Sequence, residues 1–379
     1  MLLLLFLPLS AQAGELSQGL CAVLAARVAA VPGDGPLFLE SWEGMNEPAL
    51  KGAAFTYDNA LAAIALKACG RLPEAKRIGA ALALAATEDR AGHFGRLRNV
   101  YRAGAQTERP LPPMGWWQAD QGRWVEDDYA VGSATGNVAW AGLALLALGE
   151  HDAARRLGDW ITNHTRDDKG AGGYSGGIFG DGADGSLLSW KSTEHNVDAA
   201  AFFAWLGRGG EAAHARAFLT AMWDQPGGRF FVGTGPDGVT PNTISSGLDA
   251  QLWPLLIADA PADWRRALDF AHRVHGVPGG FDFSDDRDGL WVEGTAQAAL
   301  VLKRIGRASE AEHLLQEIAR QRSPGGYLYA TREERITTGL ALTPSSTTDD
   351  FYYYRRPHLG ATSWAILADL DWNPFSATR

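Results

Sequence analysis

The chain is poor in cysteine, in clustered basic residues and in long apolar segments. Only two cysteines occur among 379 residues, which excludes a disulfide-rich scaffold and any zinc or iron–sulfur site built from several cysteines. Acidic residues outnumber basic ones by 44 to 34, for a net charge of −10. Because phosphate binding needs a clustered basic surface, we expect no nucleic-acid partner. Beyond the N-terminus no stretch is long and apolar enough to enter a membrane.

The first thirteen residues, MLLLLFLPLSAQA, predict an export signal. Their apolar run is too short to span a bilayer as an ordinary helix, and it ends in Ala-Gln-Ala, the small-x-small pattern of a signal-peptidase site. We therefore expect residues 1–13 to be a signal peptide, residues 14–379 to form a single catalytic domain, and the protein to be secreted or periplasmic. In such a compartment Cys21 and Cys69 either pair or remain two buried thiols.

Two kinds of helical segment alternate along the chain. Six of them open with a polar motif, continue with small and aliphatic residues and often end at glycine: YDNALAAIALKACG (57–70), TGNVAWAGLALLALG (135–149), TEHNVDAAAFFAWLG (193–207), GLDAQLWPLLIADA (247–260), VEGTAQAALVLKRIG (292–306) and HLGATSWAILADLD (358–371). Six amphipathic segments lie between them, at 15–31, 72–89, 151–166, 211–224, 261–275 and 307–321. A helix that is apolar nearly all round must be buried, whereas an amphipathic helix buries one face.

Twelve helices alternating in this way predict an all-α fold, the (α/α)6 toroid of six helical hairpins with the apolar helices inside. An open solenoid of helix pairs is the alternative, but its repeats are usually shorter and more regular. Long connections precede the inner helices, at 90–134, 167–192, 225–246, 276–291 and 322–357. Because loops of this length in a compact domain are usually functional, we expect them to wall a central cleft over the inner helix N-termini.

Acidic residues recur at the openings of the inner helices, at Asp58, Glu194, Asp249 and Glu293. One acidic residue at a helix start is explained by capping alone. Around Glu194 and Glu293 there are more polar groups than helix capping requires. A helix that faces a buried centre avoids polar side chains unless they contact water or a ligand. Paired carboxyls facing one cleft are suited to glycosidic bond cleavage, in which one is protonated and the other ionised.

We predict Glu194 and Glu293 to be the catalytic acid and base, in either order, with Asp58 as the third catalytic candidate. A helix N-terminus lowers a carboxyl pKa, which suits the base and opposes the acid. Trp190 beside Glu194 and Trp291 beside Glu293 are apolar neighbours that can raise it. The sequence alone does not assign the two roles.

The remaining predicted site residues supply hydrogen bonds and aromatic faces to a substrate. The polar candidates are Asp249, Tyr57, His195, Asn196, Gln297 and His358. The aromatic candidates are Trp190, Trp291, Trp116, Trp117 and Tyr352. Flat aromatic faces suit the stacking of pyranose rings, although packing of loops onto the ring is the alternative for each.

Metal and phosphate motifs are missing from the sequence. No HExxH or HxH pair indicates zinc, and the glycine-rich segment 170–185 lacks the GK[ST] of a phosphate-binding loop. The run DFSDDRDGLW (282–291) carries four aspartates but not the spacing of an EF-hand. We therefore expect neither a metal nor a cofactor.

The alternating helices, with the inner openings YDNALA, TEHNVDA, GLDAQLW and VEGTAQ, resemble the secreted (α/α)6-toroid glycoside hydrolases, the broad group of bacterial endoglucanases, glucoamylases and β-glucan hydrolases. The resemblance covers essentially the whole mature chain as architecture. It implies a central cleft, a Glu/Asp acid–base pair and usually an inverting mechanism. No single family's catalytic signature matches, so no residue role is carried over from it. The expected function is hydrolysis of a neutral or weakly charged polysaccharide, a β-glucan or an exopolysaccharide, by endo action.

Three alternatives use the same predicted fold. A polysaccharide lyase would use Tyr57 or His195 as base at a uronic acid, with Asn196 or Arg102 neutralising the carboxylate, but the net charge of −10 disfavours an acidic substrate. A sugar epimerase would use paired histidines, although such enzymes normally stay in the cytosol. A non-catalytic glycan-binding protein of an envelope polysaccharide system would keep the same tryptophans. The oligomeric state is open.

Overall fold

The computed structural model describes residues 14–90, 92, 95–181, 186–340 and 351–376. The predicted signal peptide, residues 1–13, lies outside the described residues. Among the described helices, none is long and apolar enough to cross a membrane.

The secondary structure is dominated by helices, with short strands confined to the connections. The α-helices are α1 (Glu15–Ala30), α2 (Thr56–Ala68), α3 (Leu72–Ala85), α4 (Asp128–Val131), α5 (Thr135–Leu148), α6 (His151–His164), α7 (Thr193–Trp205), α8 (Gly209–Met222), α9 (Leu248–Leu252), α10 (Arg266–Val274), α11 (Val292–Arg304), α12 (Ala308–Ala319) and α13 (Leu359–Asp369). The strands are β1 (Leu37–Phe38), β2 (Ala53–Phe55), β3 (Val100–Arg102), β4 (Gly104–Ala105), β5 (Trp116–Gln118), β6 (Arg123–Val125), β7 (Ser133–Ala134), β8 (Gly177–Phe179), β9 (Ser186–Leu188), β10 (Trp223–Asp224), β11 (Arg229–Phe230), β12 (Gly276–Val277), β13 (Gly280–Phe281), β14 (Arg335–Thr337) and β15 (Tyr352–Tyr354).

The helices form a closed ring of six hairpins, which confirms the predicted (α/α)6 toroid. Helices α2, α5, α7, α9, α11 and α13 are the inner ones, and each contacts the next, with α13 returning to α2. The outer helices α1, α3, α6, α8, α10 and α12 alternate with them along the chain. Helix α9 is short and continues as a 3-10 turn at Trp253–Leu255, because Pro254 has no N–H to extend the α-helical bonding.

The pattern of burial follows the sequence pattern. Nearly every residue of α5 is buried, whereas the outer helix α10 buries only Ala267, Leu268 and Ala271. At the end opposite the long loops, Gly149 terminates α5 in the left-handed region with φ 86°. This conformation suits glycine and allows the chain to turn at once into α6.

An aromatic cluster fills the axis of the ring. Trp140, Trp253 and Trp364 project from three inner helical segments and lie 5.5 to 6.0 Å apart by ring centroids. The Tyr57 ring packs edge-on against Trp140 at 5.3 Å. The axis is therefore a packed core rather than a channel, and ligand access is confined to the end with the long loops.

One disulfide joins an outer helix to an inner one. Cys21 of α1 is bonded to Cys69 at the end of α2, with the Cα atoms 5.9 Å apart. Of the two states that the sequence allows for these cysteines, the structure has the paired one.

The connections at the open end carry short antiparallel hairpins. In the β5–β6 hairpin Trp117 lies directly opposite Trp124, and in the β14–β15 pair Ile336 lies opposite Tyr353. These hairpins surround the N-termini of the inner helices, as the lengths of the connections predict.

Candidate active site

Four carboxyl groups lie in the first turns of four inner helices. Asp58 is on α2, Glu194 on α7, Asp249 on α9 and Glu293 on α11. The charges of Glu194 and Glu293 both act on Asp249, and the charges of Asp58 and Glu194 act on Glu293. The closed ring thus brings all four predicted carboxyls to one mouth.

Glu293 is buried at the end of a short hydrogen-bond chain. The indole N–H of Trp364 donates to the Tyr57 hydroxyl oxygen at 2.7 Å, and that hydroxyl donates to Oε1 of Glu293 at 2.6 Å. The other carboxylate oxygen, Oε2, has no hydrogen-bond partner. Burial raises the pKa of Glu293 to about 7, against the lowering effects of the His358 charge and the Tyr57 hydroxyl.

His358 lies between two of the carboxyls. Its Nε2 is 3.5 Å from Oδ2 of Asp58, and its Nδ1 is 3.7 Å from Oε2 of Glu293. The same Nδ1 accepts the N–H of Ala361 and caps α13, which places the proton of the neutral imidazole on Nε2, toward Asp58. Burial alone would lower the pKa of His358, but the two carboxyls outweigh that effect and raise it. Trp42 packs on the imidazole with ring centroids 4.1 Å apart.

Gly360 has no side chain, and this allows Asp58, Glu293 and His358 to lie close together. A Cβ atom on Gly360 would lie 2.6 Å from both Oδ1 of Asp58 and Oε2 of Glu293. Carbon atoms do not approach oxygen that closely in packed interiors, so any larger residue would displace one or both carboxyls. The sequence signal for this requirement is the His-Leu-Gly opening of the last inner helix.

Glu194 has a simpler environment. It is partly exposed, and burial raises its pKa to about 7. Among the described residues, no hydrogen bond or ion pair to its carboxyl is observed. The next residue, His195, has its pKa lowered to about 4 by burial, and its ring packs near Trp190 at 5.6 Å. His195 is therefore neutral near pH 7.

Asp249 lies between the α7 and α11 sides of the mouth. It is buried, and burial together with the charges of Glu194 and Glu293 holds its pKa well above the usual range. This shift favours the protonated form of the Asp249 carboxyl. It can therefore donate a hydrogen bond to a sugar hydroxyl, which is compatible with its predicted substrate-binding role.

Two groups of side chains are close enough to hold a metal ion. In each of the groups Asp58, Glu293, His358 and Asp282, Asp286, Asp288, one ligand atom per residue lies within 4.8 Å of the others. In the first group, Nδ1 of His358 already accepts a backbone N–H and its Nε2 lies 3.5 Å from Oδ2 of Asp58. In the second, the carboxyl oxygens accept bonds from Ser284, Thr337 and nearby backbone N–H groups. In each group some of the candidate ligand atoms are therefore already engaged.

Several other predicted site residues have structural partners. Asn196 is fully buried and uses its amide to bond the backbone of Tyr174 and Ser192. Trp291 is only 1% exposed and packs against Phe283 and Tyr353. In this conformation Trp291 offers no open face to a sugar ring.

The aromatic residues of the hairpins differ in exposure. Trp117 is 62% exposed, while Trp116 and Trp190 are half-buried. Tyr352 is half-buried beneath the Arg335 guanidinium, 4.5 Å from its ring centroid. Arg102, a candidate in the lyase alternative, pairs with Glu108 and lies over the ring of Trp124.

Two residues at the mouth are not among the site residues predicted from the sequence. Tyr353 packs against His358 and Trp291, and burial together with the charges of all four carboxyls raises its pKa well above the usual value. Side chains alternate along a strand, so Tyr352 and Tyr353 point to opposite faces. The sequence could not show which of the two faces the mouth. The other residue is Asp198, fully buried one turn after Glu194; its spacing of four from Glu194 was the available signal.

The same closed ring occurs in solved structures of sugar-active enzymes. A glycosidase variant is 13% identical to this chain, covering 98% of it and 99% of that chain with a TM-score of 0.60. Cellobiose 2-epimerase from Spirochaeta thermophila DSM 6192 is 14% identical over 96% of this chain and 98% of that one, with a TM-score of 0.59. A D-mannose isomerase is 12% identical over 96% and 99% of the two chains, with a TM-score of 0.61.

No family model matches the chain, and no curated protein matches it. At identities this low the structural similarity establishes a shared (α/α)6 toroid and nothing about residue roles. It does place this chain's fold beside both hydrolases and isomerising enzymes of sugars, so chemistry has to be argued from the mouth itself.

Proposed function

We propose that the protein is an exported glycoside hydrolase that cleaves a neutral or weakly charged polysaccharide, such as a β-glucan or an exopolysaccharide. The observation that carries the proposal is the pair Glu194 and Glu293. Both are carboxyls at one mouth with pKa values raised to about 7 by burial, yet they have different partners. Different surroundings for two carboxyls are what separates an acid from a base on one protein.

Glu293 is the proposed base. Tyr57 donates a hydrogen bond to Oε1, and His358, 3.7 Å from Oε2, lowers the pKa of Glu293. Both favour the ionised carboxylate. Because Oε2 has no hydrogen-bond partner of its own, it is the atom that can accept a proton from an attacking water.

Glu194 is the proposed acid. Burial favours its neutral form, and no described group donates a hydrogen bond to stabilise its carboxylate. In the proposed reaction the Glu194 hydroxyl gives its proton to the glycosidic oxygen as the bond to the anomeric carbon breaks. Water attacks that carbon and passes a proton to Glu293, and the proton then returns to Glu194 through solvent. The product is a hemiacetal of inverted configuration.

Three further observations support this function and location. A solved glycosidase variant with glucose bound shares the fold, with a TM-score of 0.60. Carboxyls crowd the mouth, which repels uronic acids and suits neutral sugars. The Cys21–Cys69 disulfide is typical of oxidising compartments, in agreement with the proposed signal peptide and a secreted or periplasmic location.

The experiment is product release from soluble α- and β-glucans and bacterial exopolysaccharides, comparing wild type with Glu194→Gln and Glu293→Gln. Folding of each variant is checked by circular dichroism. We expect new reducing ends from wild type and none from either variant. Products absorbing near 235 nm would instead identify a lyase, and glycan binding without any product would identify a binding protein.

A sugar epimerase or isomerase is the second candidate, favoured by the two histidines at the mouth. His195 has a lowered pKa and His358 a raised one, which suits His195 to act as a base and His358 as an acid. Such an enzyme would exchange the hydrogen at C2 of cellobiose or mannose with D2O, visible by NMR, while creating no reducing ends. Exchange without hydrolysis would replace the hydrolase proposal.

A further inference from the structure

Exposed apolar side chains of this protein lie mostly at the open end of the ring. Among the described residues, the exposed large hydrophobic side chains are Leu72 on an outer helix and, in the open-end connections, Trp117, Trp124, Leu187, Val239, Ile244 and Leu340. The two tryptophans lie directly opposite each other in the β5–β6 hairpin, and residues opposite each other on paired strands project from the same face. One face of this hairpin therefore presents two indole rings to solvent.

The two indoles differ in how the protein holds them. The Nε1–H of Trp124 donates to Oε1 of Glu126 at 3.2 Å, and the Arg102 guanidinium lies 5.7 Å from the Trp124 ring centroid. The ring also packs on Gly115, where a Cβ atom would lie 2.6 Å from it. Trp117 is 62% exposed, and within the part of the chain that the structure describes no aromatic ring or cation stacks on it. Trp124 is thus anchored, whereas Trp117 keeps an open face.

The hairpin is joined to the rim of the mouth. Tyr129 follows the last residue of β6, Val125, by four residues, so their Cα atoms are at most about 14 Å apart. The Tyr129 ring lies 6.4 Å from Phe55, the residue before α2, and the charges of Glu194 and Asp58 act on its hydroxyl. The hairpin therefore stands at the α2 and α5 side of the mouth, outside the four carboxyls.

The surroundings of Trp117 suit a neutral ligand with flat apolar faces. The charged side chains of the hairpin are of both signs, and Glu126 is already paired with Arg90 through two hydrogen bonds of 2.7 and 2.6 Å. A pyranose ring of a neutral polysaccharide has an apolar C–H face that matches the face of an indole. A second protein is a poorer match, because a stable interface buries about 800 Å² per partner, whereas one tryptophan supplies about 150 to 250 Å².

We propose that the β5–β6 hairpin is an accessory binding site for the polysaccharide, at which Trp117 stacks on a pyranose ring of the chain outside the mouth. The inference rests on the proposed function for the chemical class of the ligand. It adds that recognition extends beyond the sugar units at the carboxyls, so that affinity increases with the length of the glycan.

The test compares the binding of short and long glucans by calorimetric titration. All proteins carry Glu194→Gln, so that no substrate is consumed. The probes are the β-1,4- and α-1,4-linked glucose disaccharides and the polymers hydroxyethylcellulose, mixed-linkage β-glucan and pullulan. The variants are Trp117→Ala, which removes the indole, and Trp117→Phe, which keeps a flat ring. Leu187→Ala is the matched control, because Leu187 is 56% exposed on β9 of another open-end connection but is not aromatic.

With Trp117 present, we expect the polymer of the bound linkage type to bind about 10- to 100-fold more tightly than the disaccharide, the effect of burying one large apolar side chain. Trp117→Ala should lose this gain, and Trp117→Phe should keep most of it. Leu187→Ala should bind as the parent protein does. Loss of the length dependence, rather than of binding as a whole, is a readout that a merely structural role would not produce.

A second measurement does not depend on a variant. N-Bromosuccinimide oxidises exposed indoles, and mass spectrometry of peptides locates the oxidised residues. Trp117 should be oxidised early because it is exposed, and bound polymer should protect it. The fully buried Trp364 should stay unmodified with or without polymer.

Equal length dependence in folded Trp117→Ala and in the parent protein, or oxidation of Trp117 that polymer does not slow, would overturn the inference. Binding of none of the glucans would do the same, and a dimer in light scattering that Trp117→Ala dissociates would assign the face to a second copy of this chain instead. Hydrolysis by wild type with binding that is independent of Trp117 would leave the hydrolase proposal standing. Binding that depends on Trp117 without any hydrolysis would leave the accessory site standing alone.

Discussion

The α7 side and the α11 side of the mouth each present a glutamate in the first helical turn, but only one of them is supported by neighbours. Around Glu293, Tyr57 donates a hydrogen bond to Oε1, and His358, 3.7 Å from Oε2, lowers the pKa of the carboxyl. Around Glu194, burial alone shifts the pKa. The difference shows that identical residue types at equivalent helix positions can be given opposite proton roles by what the adjacent helices contribute.

The different surroundings of Glu293 and Glu194 follow from the order of the helices around the closed ring. Helices α11, α13 and α2 are consecutive around the ring, so Glu293, His358 and Asp58 converge although they are far apart in the chain. Helix α7 instead adjoins α5 and α9, and Asp249 of α9 has its own pKa raised by the charge of Glu194. One side of the mouth thus holds the interacting group of Glu293, His358 and Asp58, whereas Glu194 on the other side is partly exposed and has no ion pair or hydrogen bond among the described residues.

The largest expected effect comes from removing either carboxyl. Glu194→Gln and Glu293→Gln should each lower kcat/KM on the polymer substrate by about 10² to 10⁴, the usual contribution of general acid–base catalysis. Steady-state rates on the best glycan of the panel measure this. Activity near wild type in either folded variant would transfer the role to Asp58 or Asp249.

The second effect compares two glycines, one on each side. Gly360→Ala places a Cβ 2.6 Å from carboxylate oxygens of Asp58 and Glu293, whereas Gly136→Ala meets the His195 ring at 2.5 Å. We expect Gly360→Ala to lower kcat about 100-fold by displacing the base, and Gly136→Ala to act mainly on KM. Equal effects of the two variants on kcat would remove the distinction between the sides.

The third effect is a change in pH dependence. With both pKa values near 7, the wild-type profile of kcat/KM should be a bell centred near pH 7, falling below it as Glu293 gains a proton and above it as Glu194 loses one. The His358 charge lowers the pKa of Glu293, so His358→Asn, which can still cap the helix, should move the acidic limb to higher pH. An unmoved acidic limb would contradict the role of His358.

The smallest effect concerns the hydrogen bond to Oε1. Tyr57→Phe removes the donor to Glu293 but keeps the ring that packs on Trp140. We expect kcat to fall about tenfold, in line with one hydrogen bond to a charged group, and the acidic limb to rise slightly. Full activity of Tyr57→Phe would show that the hydrogen bond to Glu293 is not needed in the transition state.

The sequence predicted the fold better than it predicted the contents of the mouth. Helical periodicity and the terminal glycines located the inner and outer helices. A helix buried on all sides is apolar all round, whereas a helix buried on one side is amphipathic, so both kinds can be recognised from local sequence. The four acidic openings converge because the ring places every inner N-terminus at one end. The (α/α)6 arrangement therefore followed from the pattern alone.

What local sequence could not supply is the direction of individual side chains. The Asn196 side chain bonds the backbone of Tyr174, and the Trp291 side chain is buried in the core. Both residues are near predicted catalytic residues in the sequence. Tyr353 rather than Tyr352 faces the carboxyls, a choice set by strand register against β14. The acid and base could not be told apart, because the support of Glu293 comes from residues 236 and 65 positions away.

The most direct test of the acid and base assignment uses aryl glycosides whose leaving groups differ in basicity, assayed with wild type, Glu194→Gln and Glu293→Gln. A dinitrophenolate leaves without a proton, so a variant lacking only the acid should recover much of its rate on that substrate, while a variant lacking the base should not. We predict recovery in Glu194→Gln and none in Glu293→Gln. Recovery in Glu293→Gln alone would reverse the roles, and turnover of no glycoside by wild type would contradict the hydrolase proposal itself.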